Sequence, residues 1–157
     1  MEQEWISAFS KLTYGIYVLA TAFEDVINGM IASWVSQVSY DPALISVAVH
    51  PNRYSHQLIK QSNCFALHVV SKTQTDLLKR FSGPDALAKF LGVEWTKGKT
   101  GSPIIKNCIA WFDCEVVCSL DPGNHTVFIG KVGDAKMVSN NGVMSTADYD
   151  GKYIGRS

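Results

Sequence analysis

The chain has 157 residues, 46% of them hydrophobic and 18% charged, with fourteen Lys and Arg set against fourteen Asp and Glu. That length suits one domain with a sizeable core, and so apolar a balance excludes intrinsic disorder. A formal net charge of +0 supplies no field for holding phosphate backbones or anionic lipid, so nucleic acid and membrane surfaces are not expected as partners.

No apolar run approaches the ~18 residues of a membrane helix, and the opening Met1-Glu2-Gln3-Glu4 is acidic where a signal peptide is basic. A cytoplasmic protein, one domain over residues 1–157, is expected. Cys64, Cys108, Cys114 and Cys118 form no Cys-x-x-Cys pair. On one strand Cys114 and Cys118 would stand ~13 Å apart, too far to bridge, so reduced core thiols are expected.

Trp5, Ile6, Phe9 and Leu12 recur at helical spacing and predict a short amphipathic helix packed on the body. Tyr14 to Phe23 reads as a strand, Asn28-Gly29 as a hairpin turn, and Met30 to Ser39 as the second strand. Asp41-Pro42 breaks the chain before Leu44 to Val49, whose Ile45, Val47 and Val49 share a face. Three strands in succession favour an antiparallel sheet. Pro51-Asn52 opens a helix through Lys60 with Asn52 as its N-cap, and Phe65 to Val70 returns to strand.

Thr73 and Asp76 have capping-box spacing before a helix to about Phe81, which Gly83-Pro84 stops; a helical turn follows from Ala86 to Leu91. Glu94 to Ser102 reads as a loop. From Ile104 a long strand places Cys108, Ala110, Phe112, Cys114, Val116 and Cys118 on one apolar face. Asp121-Pro122-Gly123-Asn124 predicts a turn into strands Thr126 to Val132 and Ala135 to Val138, and Asn140-Asn141-Gly142 turns the chain again. About seven strands with a few short helices predict a barrel or sandwich.

Signatures of nucleotide-binding folds, P-loops, zinc proteases and serine hydrolases are missing. Three segments remain. In Asn28 to Ser39, small and hydroxylated residues are dense for a strand, which would let a flat ligand approach the backbone; the plain alternative is a strand facing solvent on its Ser33, Gln37 and Ser39 side. His50 to His56 lies where a strand ends and a helix begins, where free amides with Arg53 and Ser55 could bind phosphate; the alternative is an ordinary capped helix with a solvated Arg53. Gly123-Asn124-His125 would put one imidazole at a barrel mouth, or hold an ordinary polar histidine. Lys89, Lys97 and Lys99 read as solvated surface, and His68 as a hydrogen-bonded core or edge residue.

Together these residues resemble a known family. Leu12 to Val18, Asn28 to Pro42, Tyr54 to Ile59, Gly101-Ser102-Pro103-Ile104 and Gly123 to Val132 are similar, in order and over nearly the whole chain, to the flavin reductase-like FMN-binding split barrels, which include flavoredoxins. The resemblance implies a mainly β, Greek-key split β-barrel with a few short helices, homodimeric and binding FMN non-covalently, with FAD as the alternative. It also reverses the plain readings. Asn28, Met30, Ala32, Ser33, Trp34, Val35, Gln37 and Ser39 are expected along the flavin, with Asn52, Arg53, Ser55 and His56 near the ribityl phosphate. Tyr153 is a further candidate at the cofactor. His125 takes the catalytic place of the family's Gly-Asp-His histidine, by flavin and nicotinamide, with Asn124 standing where the family has Asp.

The implied activity is an NAD(P)H-dependent flavin reductase-type oxidoreductase that passes electrons through FMN to a flavin, a ferric complex or a redox protein. Such hydride transfer needs no protein nucleophile and no metal, only two rings held in contact and a tuned potential. The alternatives are a flavoredoxin-like electron carrier fed by a protein donor, and a non-catalytic FMN-binding protein.

Overall fold

The computed structural model describes residues 2–148. Helix α1 (Gln3–Phe9) precedes strands β1 (Tyr17–Phe23), β2 (Val26–Ala32), β3 (Val35–Tyr40) and β4 (Ala43–Val49). Helix α2 (Tyr54–Ser62), strand β5 (Cys64–Val69) and helices α3 (Thr75–Ser82) and α4 (Ala86–Phe90) follow. The chain continues through β6 (Trp95–Lys97), β7 (Pro103–Ile105), β8 (Ala110–Leu120) and β9 (Thr126–Met137) to a 3-10 turn at Thr146–Asp148.

Seven strands form one sheet in the order β2-β1-β5-β8-β9-β4-β3, and β6 pairs with β7 in a separate ladder. Every pairing in the large sheet is antiparallel. Its edge strands β2 and β3 are consecutive in the chain, and β2 lies against β4 across the gap. A sheet curled until its ends approach is a barrel split along one seam, so the architecture is the expected mainly β Greek-key split barrel with few short helices.

Strand β1 shows how the core is divided. Its Val18, Leu19 and Ala20 are all buried because the strand has apolar partners on both faces. Leu19 packs inside the barrel with Val47, Ile59, Phe65 and Phe128, while Val18 and Ala20 pack under α3 and α4 with Leu78, Phe81 and Phe90. Alternation along one strand thus feeds two cores. His68 lies wholly inside: Nε2 accepts the Ile105 N–H at 3.0 Å, which leaves the proton on Nδ1 to reach the Val18 carbonyl at 3.0 Å.

Several local expectations are corrected. The first hairpin turns at Glu24-Asp25, with Glu24 in the left-handed region at φ 52°. Asn28-Gly29, expected as that turn, is the buried middle of β2; a Cβ at Gly29 would stand 2.6 Å from the Phe81 ring, so this glycine serves close packing. The expected strand Met30 to Ser39 is two, β2 and β3, broken at Ser33-Trp34. Helix α1 forms but buries none of its residues, so it is not packed on the body as expected. Helix α2 begins at Tyr54 with Arg53, not Asn52, at the cap position and no side-chain cap. Thr73 builds no capping box, since Gln74 holds the cap position of α3 and Thr73 Oγ1 pairs with Ser71 Oγ at 3.1 Å.

The expected loop Glu94 to Ser102 contains β6, paired to β7. The long strand expected from Ile104 is split into β7 and β8, and two register shifts interrupt its alternation. Asp113 and Cys114 are consequently both buried, and Cys118 is an exposed thiol rather than a core one. Thr126 to Met137 is a single strand. Among the described residues, no helix is long and apolar enough to cross a membrane.

Candidate functional site

A cavity of about 420 Å³ opens where the split brings β2 close to β4, within the range of small-molecule sites. The Asn28 to Ala32 stretch of β2 and the Ser33-Trp34 link form one wall. The start of α2, the Gly83-Pro84 stop after α3, Lys89 of α4 and His125 of the β8–β9 turn complete it.

Asn28 joins three of these elements. Its Nδ2 donates to Ser55 Oγ at 3.1 Å, and its Oδ1 accepts from Lys89 Nζ at 3.3 Å. Lys89 Nζ also donates to the Gly29 carbonyl at 2.8 Å. An ammonium has three N–H groups and these two bonds use two, which leaves one for a ligand. Burial lowers the Lys89 pKa from its ordinary value, and the Arg53 guanidinium lowers it further against the opposing pull of Asp85.

The expectation of Lys89 as solvated surface is therefore corrected. Helix α4 buries its lysine, 7% exposed, and leaves Leu87 80% exposed. Sequence reasoning missed it because a lysine in a short helix reads as surface, and the acceptors that draw it inward, Asn28 Oδ1 and the Gly29 carbonyl, lie some sixty residues earlier.

At the start of α2, Arg53 occupies the cap position with no side-chain cap; the Arg53 and His56 N–H groups bond the His50 and Arg53 carbonyls, and the Tyr54 and Ser55 amides keep their anion-binding capacity. Asn52 donates its backbone N–H to His50 Nδ1 at 3.2 Å. Opposite, the half-buried His125 lies 4.7 Å from the Trp34 ring and 5.0 Å, edge-on, from His50. Its Nδ1 donates to Asn124 Oδ1 at 2.8 Å, which leaves Nε2 as an acceptor. Burial lowers the His125 pKa, with His50 and Arg53 adding to the effect, so the ring is neutral near pH 7.

Of the expected site residues, Asn28, Met30, Ala32, Ser33, Trp34, Asn52, Arg53, Ser55 and His125 line this one cavity. Val35, Gln37 and Ser39 lie beyond the break on β3, outside the cavity lining, with Gln37 Nε2 donating to the Ser39 carbonyl at 3.3 Å. His56 also stays outside: it is buried, with Nε2 2.8 Å from Thr126 Oγ1. Tyr153 lies outside the described residues. Besides Lys89, the expectation omitted His50, Tyr54 and the Gly83-Pro84 corner. His50 and Tyr54 fall inside a segment already singled out for its position, whereas Gly83-Pro84 carried only a helix-stop signal.

Residues 9–155 match the model of the flavin reductase like domain. The chain belongs to the flavin reductase-like family. The ferric-chelate reductase (NAD(P)H) of Archaeoglobus fulgidus is 32% identical over 92% of this chain and 88% of its own length. Diflavin flavoprotein A 1 of Synechocystis is 26% identical over 91% of this chain, which spans only 26% of that protein. Among solved structures, the flavin reductase PheA2 superposes with a TM-score of 0.80 at 27% identity, covering 92% of this chain and 93% of that one. An NADH:FAD oxidoreductase of Streptomyces globisporus, in complex with NAD and FAD fragments, superposes at 0.81 with 25% identity over 88% and 83% of the two chains. The family assignment makes the chain a flavin reductase-like oxidoreductase, and the split barrel is the fold of these family members.

Proposed function

We propose that this chain, acting as one domain over residues 1–157, binds FMN in the Asn28 cavity and passes electrons from NAD(P)H to a free flavin, a ferric complex or a small redox protein. The observation that carries the reading is the polar junction at Asn28, which holds a buried ammonium with an N–H to spare beside an uncapped helix start. The donor set fits FMN, a flat ring on a phosphate tail. The Met30 to Trp34 wall suits the ring, and Arg53, Ser55 and the first amides of α2 suit the phosphate. One such anion-receptive end favours FMN, with FAD as the alternative.

When bound, the flavin supplies two-electron redox chemistry. Lys89 sets a fixed positive charge beside the ring, which favours added electrons. His125, held neutral with Nε2 as acceptor, takes a hydrogen bond from the carboxamide of the nicotinamide and orients that donor. The homodimer is supported by the apolar residues left exposed on α1 and β3, Trp5, Phe9, Val38 and Tyr40.

The ferric-chelate reductase relative supports a ferric acceptor, and the diflavin flavoprotein supports a protein one. A second reading, a flavoredoxin-like carrier with a protein electron donor, is favoured by Asn124 standing at the position where the family resemblance has Asp. Titration of the purified protein with FMN, followed by steady-state oxidation of NADH and NADPH with free flavin or ferric citrate as acceptor, tests the proposal. Saturable flavin binding and nicotinamide turnover are expected; flavin binding without turnover favours the carrier, and no binding refutes both.

A further inference from the structure

His125 rides on the exposed connection between β8 and β9, and among the described residues 121–125 make no backbone–backbone hydrogen bond of their own. A Cβ added at Gly123 would meet nothing within 4 Å, so the connection is unpacked at its apex. Besides the His125–Asn124 pair within it, one side-chain bond closes it from end to end. Thr126, 2% exposed at the start of β9, donates from Oγ1 to Asp121 Oδ1 at 2.5 Å across the turn.

The same oxygen lies 2.8 Å from His56 Nε2. A hydroxyl has one proton. Having given it to the Asp121 carboxylate, Thr126 accepts from His56, so His56 carries its hydrogen on Nε2. The chain His56 to Thr126 to Asp121 ends on an ionised acceptor, which makes it stronger than a neutral pair. His56 is buried one residue past Ser55, with its ring 5.4 Å from Phe128. A single hydroxyl therefore ties the α2 turn bearing Arg53 and Ser55 to the connection bearing His125.

We propose that Thr126 is a positioning residue, whose hydroxyl, held between Asp121 and His56, fixes His125 against Trp34 and His50 at the cavity. Its kinetic consequence rests on the function proposed above, whereas the placement of the imidazole does not. The proposal gives His56 a role that its position outside the cavity would otherwise leave open. It also divides labour along α2: Arg53 and Ser55 face the cavity, and His56 anchors the opposite wall.

The test uses three variants of the full chain. Thr126→Val keeps shape and loses the hydroxyl, Thr126→Ser keeps the hydroxyl, and Asp121→Ala removes the acceptor at an exposed position where folding is not at stake. Two readouts are taken: imidazole nitrogen NMR of the flavin-free protein, and the nicotinamide dependence of flavin reduction alongside FMN affinity. By loosening the connection that carries both Asn124 and His125, Thr126→Val and Asp121→Ala are expected to open the Asn124–His125 bond and replace the single Nδ1–H form of His125 with a mixture of tautomers. Because a small misplacement of an orienting group is costly, they raise the nicotinamide KM about tenfold with FMN affinity within about threefold. Thr126→Ser restores both readouts.

Unchanged His125 signals and KM in Thr126→Val and Asp121→Ala overturn the proposal. So does equal loss of FMN affinity and KM in all three variants, which marks a purely structural residue. A wild-type protein that nicotinamides do not reduce refutes the proposed function instead, and the imidazole spectra then decide the placement of His125 alone.

Discussion

The Asn28 cavity, at the start of α2, has a counterpart of similar size at the end of that helix. About 460 Å³ opens beside Cys64, Thr100 and Asp113, against about 420 Å³ at Asn28. In the second cleft the buried polar groups are already engaged, while Glu115 and Lys131 stand exposed at its rim. Asp113, wholly buried, accepts the Thr100 N–H at 2.9 Å and the Thr100 hydroxyl at 2.5 Å, and Ser102 Oγ donates to Cys64 Sγ at 3.3 Å. Lys99 is drawn off to Asp134 at 3.1 Å. At Asn28, by contrast, Lys89 keeps an N–H, the start of α2 keeps the Tyr54 and Ser55 amides, and His125 keeps Nε2. Volume does not separate the two, but the spare hydrogen-bonding capacity of their buried groups does: a fully engaged polar cluster stabilises a fold, and one with capacity to spare invites a ligand.

Removing the engaged carboxylate should break this contrast most severely. Asp113→Ala removes two bonds to a buried carboxylate, orphaning the Thr100 N–H and leaving its hydroxyl only Ser102 Oγ, and should cost about 4 kcal/mol of stability by urea unfolding, with flavin affinity of the folded protein unchanged. A large loss of flavin affinity at constant stability would move the site to the second cleft. His68 is the limiting case of engagement, with both ring nitrogens used inside the core. Burial pushes its pKa down to about 4 from 6.5, opposed by the Val18 carbonyl.

Only the folded state resists that proton, so the contribution of His68 is complete above about pH 6.5 and is lost as pH falls toward 4, by on the order of 3 kcal/mol. Unfolding midpoints across that range should show the fall. His68→Gln, which keeps one donor and one acceptor but cannot ionise, should flatten it; an equal slope in both proteins contradicts the assignment.

Groups with capacity to spare should behave in the opposite way. Lys89→Met removes a buried charged donor and should weaken FMN binding by about tenfold or more; fluorescence titration reads the affinity. His125→Ala should slow flavin reduction by the nicotinamide about tenfold with FMN affinity largely intact, as stopped-flow absorbance will show. Equal loss of both would remove its orienting role. Least of all, Lys99→Ala, an exposed partner of Asp134, should change stability by less than about 0.5 kcal/mol and leave both flavin parameters alone.

What the sequence made legible follows the same division. Ile45, Val47 and Val49 were readable as one buried face because alternation is a local signal. The seam cavity was readable mainly through ordered motifs, and nine of the residues those motifs selected meet there. Asn28-Gly29 misled as a turn because its composition suits one, whereas its structural reasons are the junction with Lys89 and the approach of Phe81. Glu24-Asp25, the actual turn, carries neither Gly nor Asn. Val35, Gln37 and Ser39 were carried past a strand break that no Gly or Pro announces. Lys89 was illegible because its burial depends on acceptors distant in sequence, and a charge within a helix otherwise reads as solvent-facing.

The central claim is that the spare capacity at Asn28 and Lys89 holds a flavin that nicotinamides reduce. The direct measurement is an anaerobic visible spectrum of the purified protein with FMN, before and after NADH and then NADPH, for wild type and Lys89→Met at the same flavin concentration. The account predicts that bound flavin in the wild type bleaches within seconds of adding one of the two nucleotides, and that Lys89→Met leaves most flavin free. Wild-type flavin that stays oxidised with both nucleotides, or a Lys89→Met protein that binds and bleaches FMN as the wild type does, would contradict it.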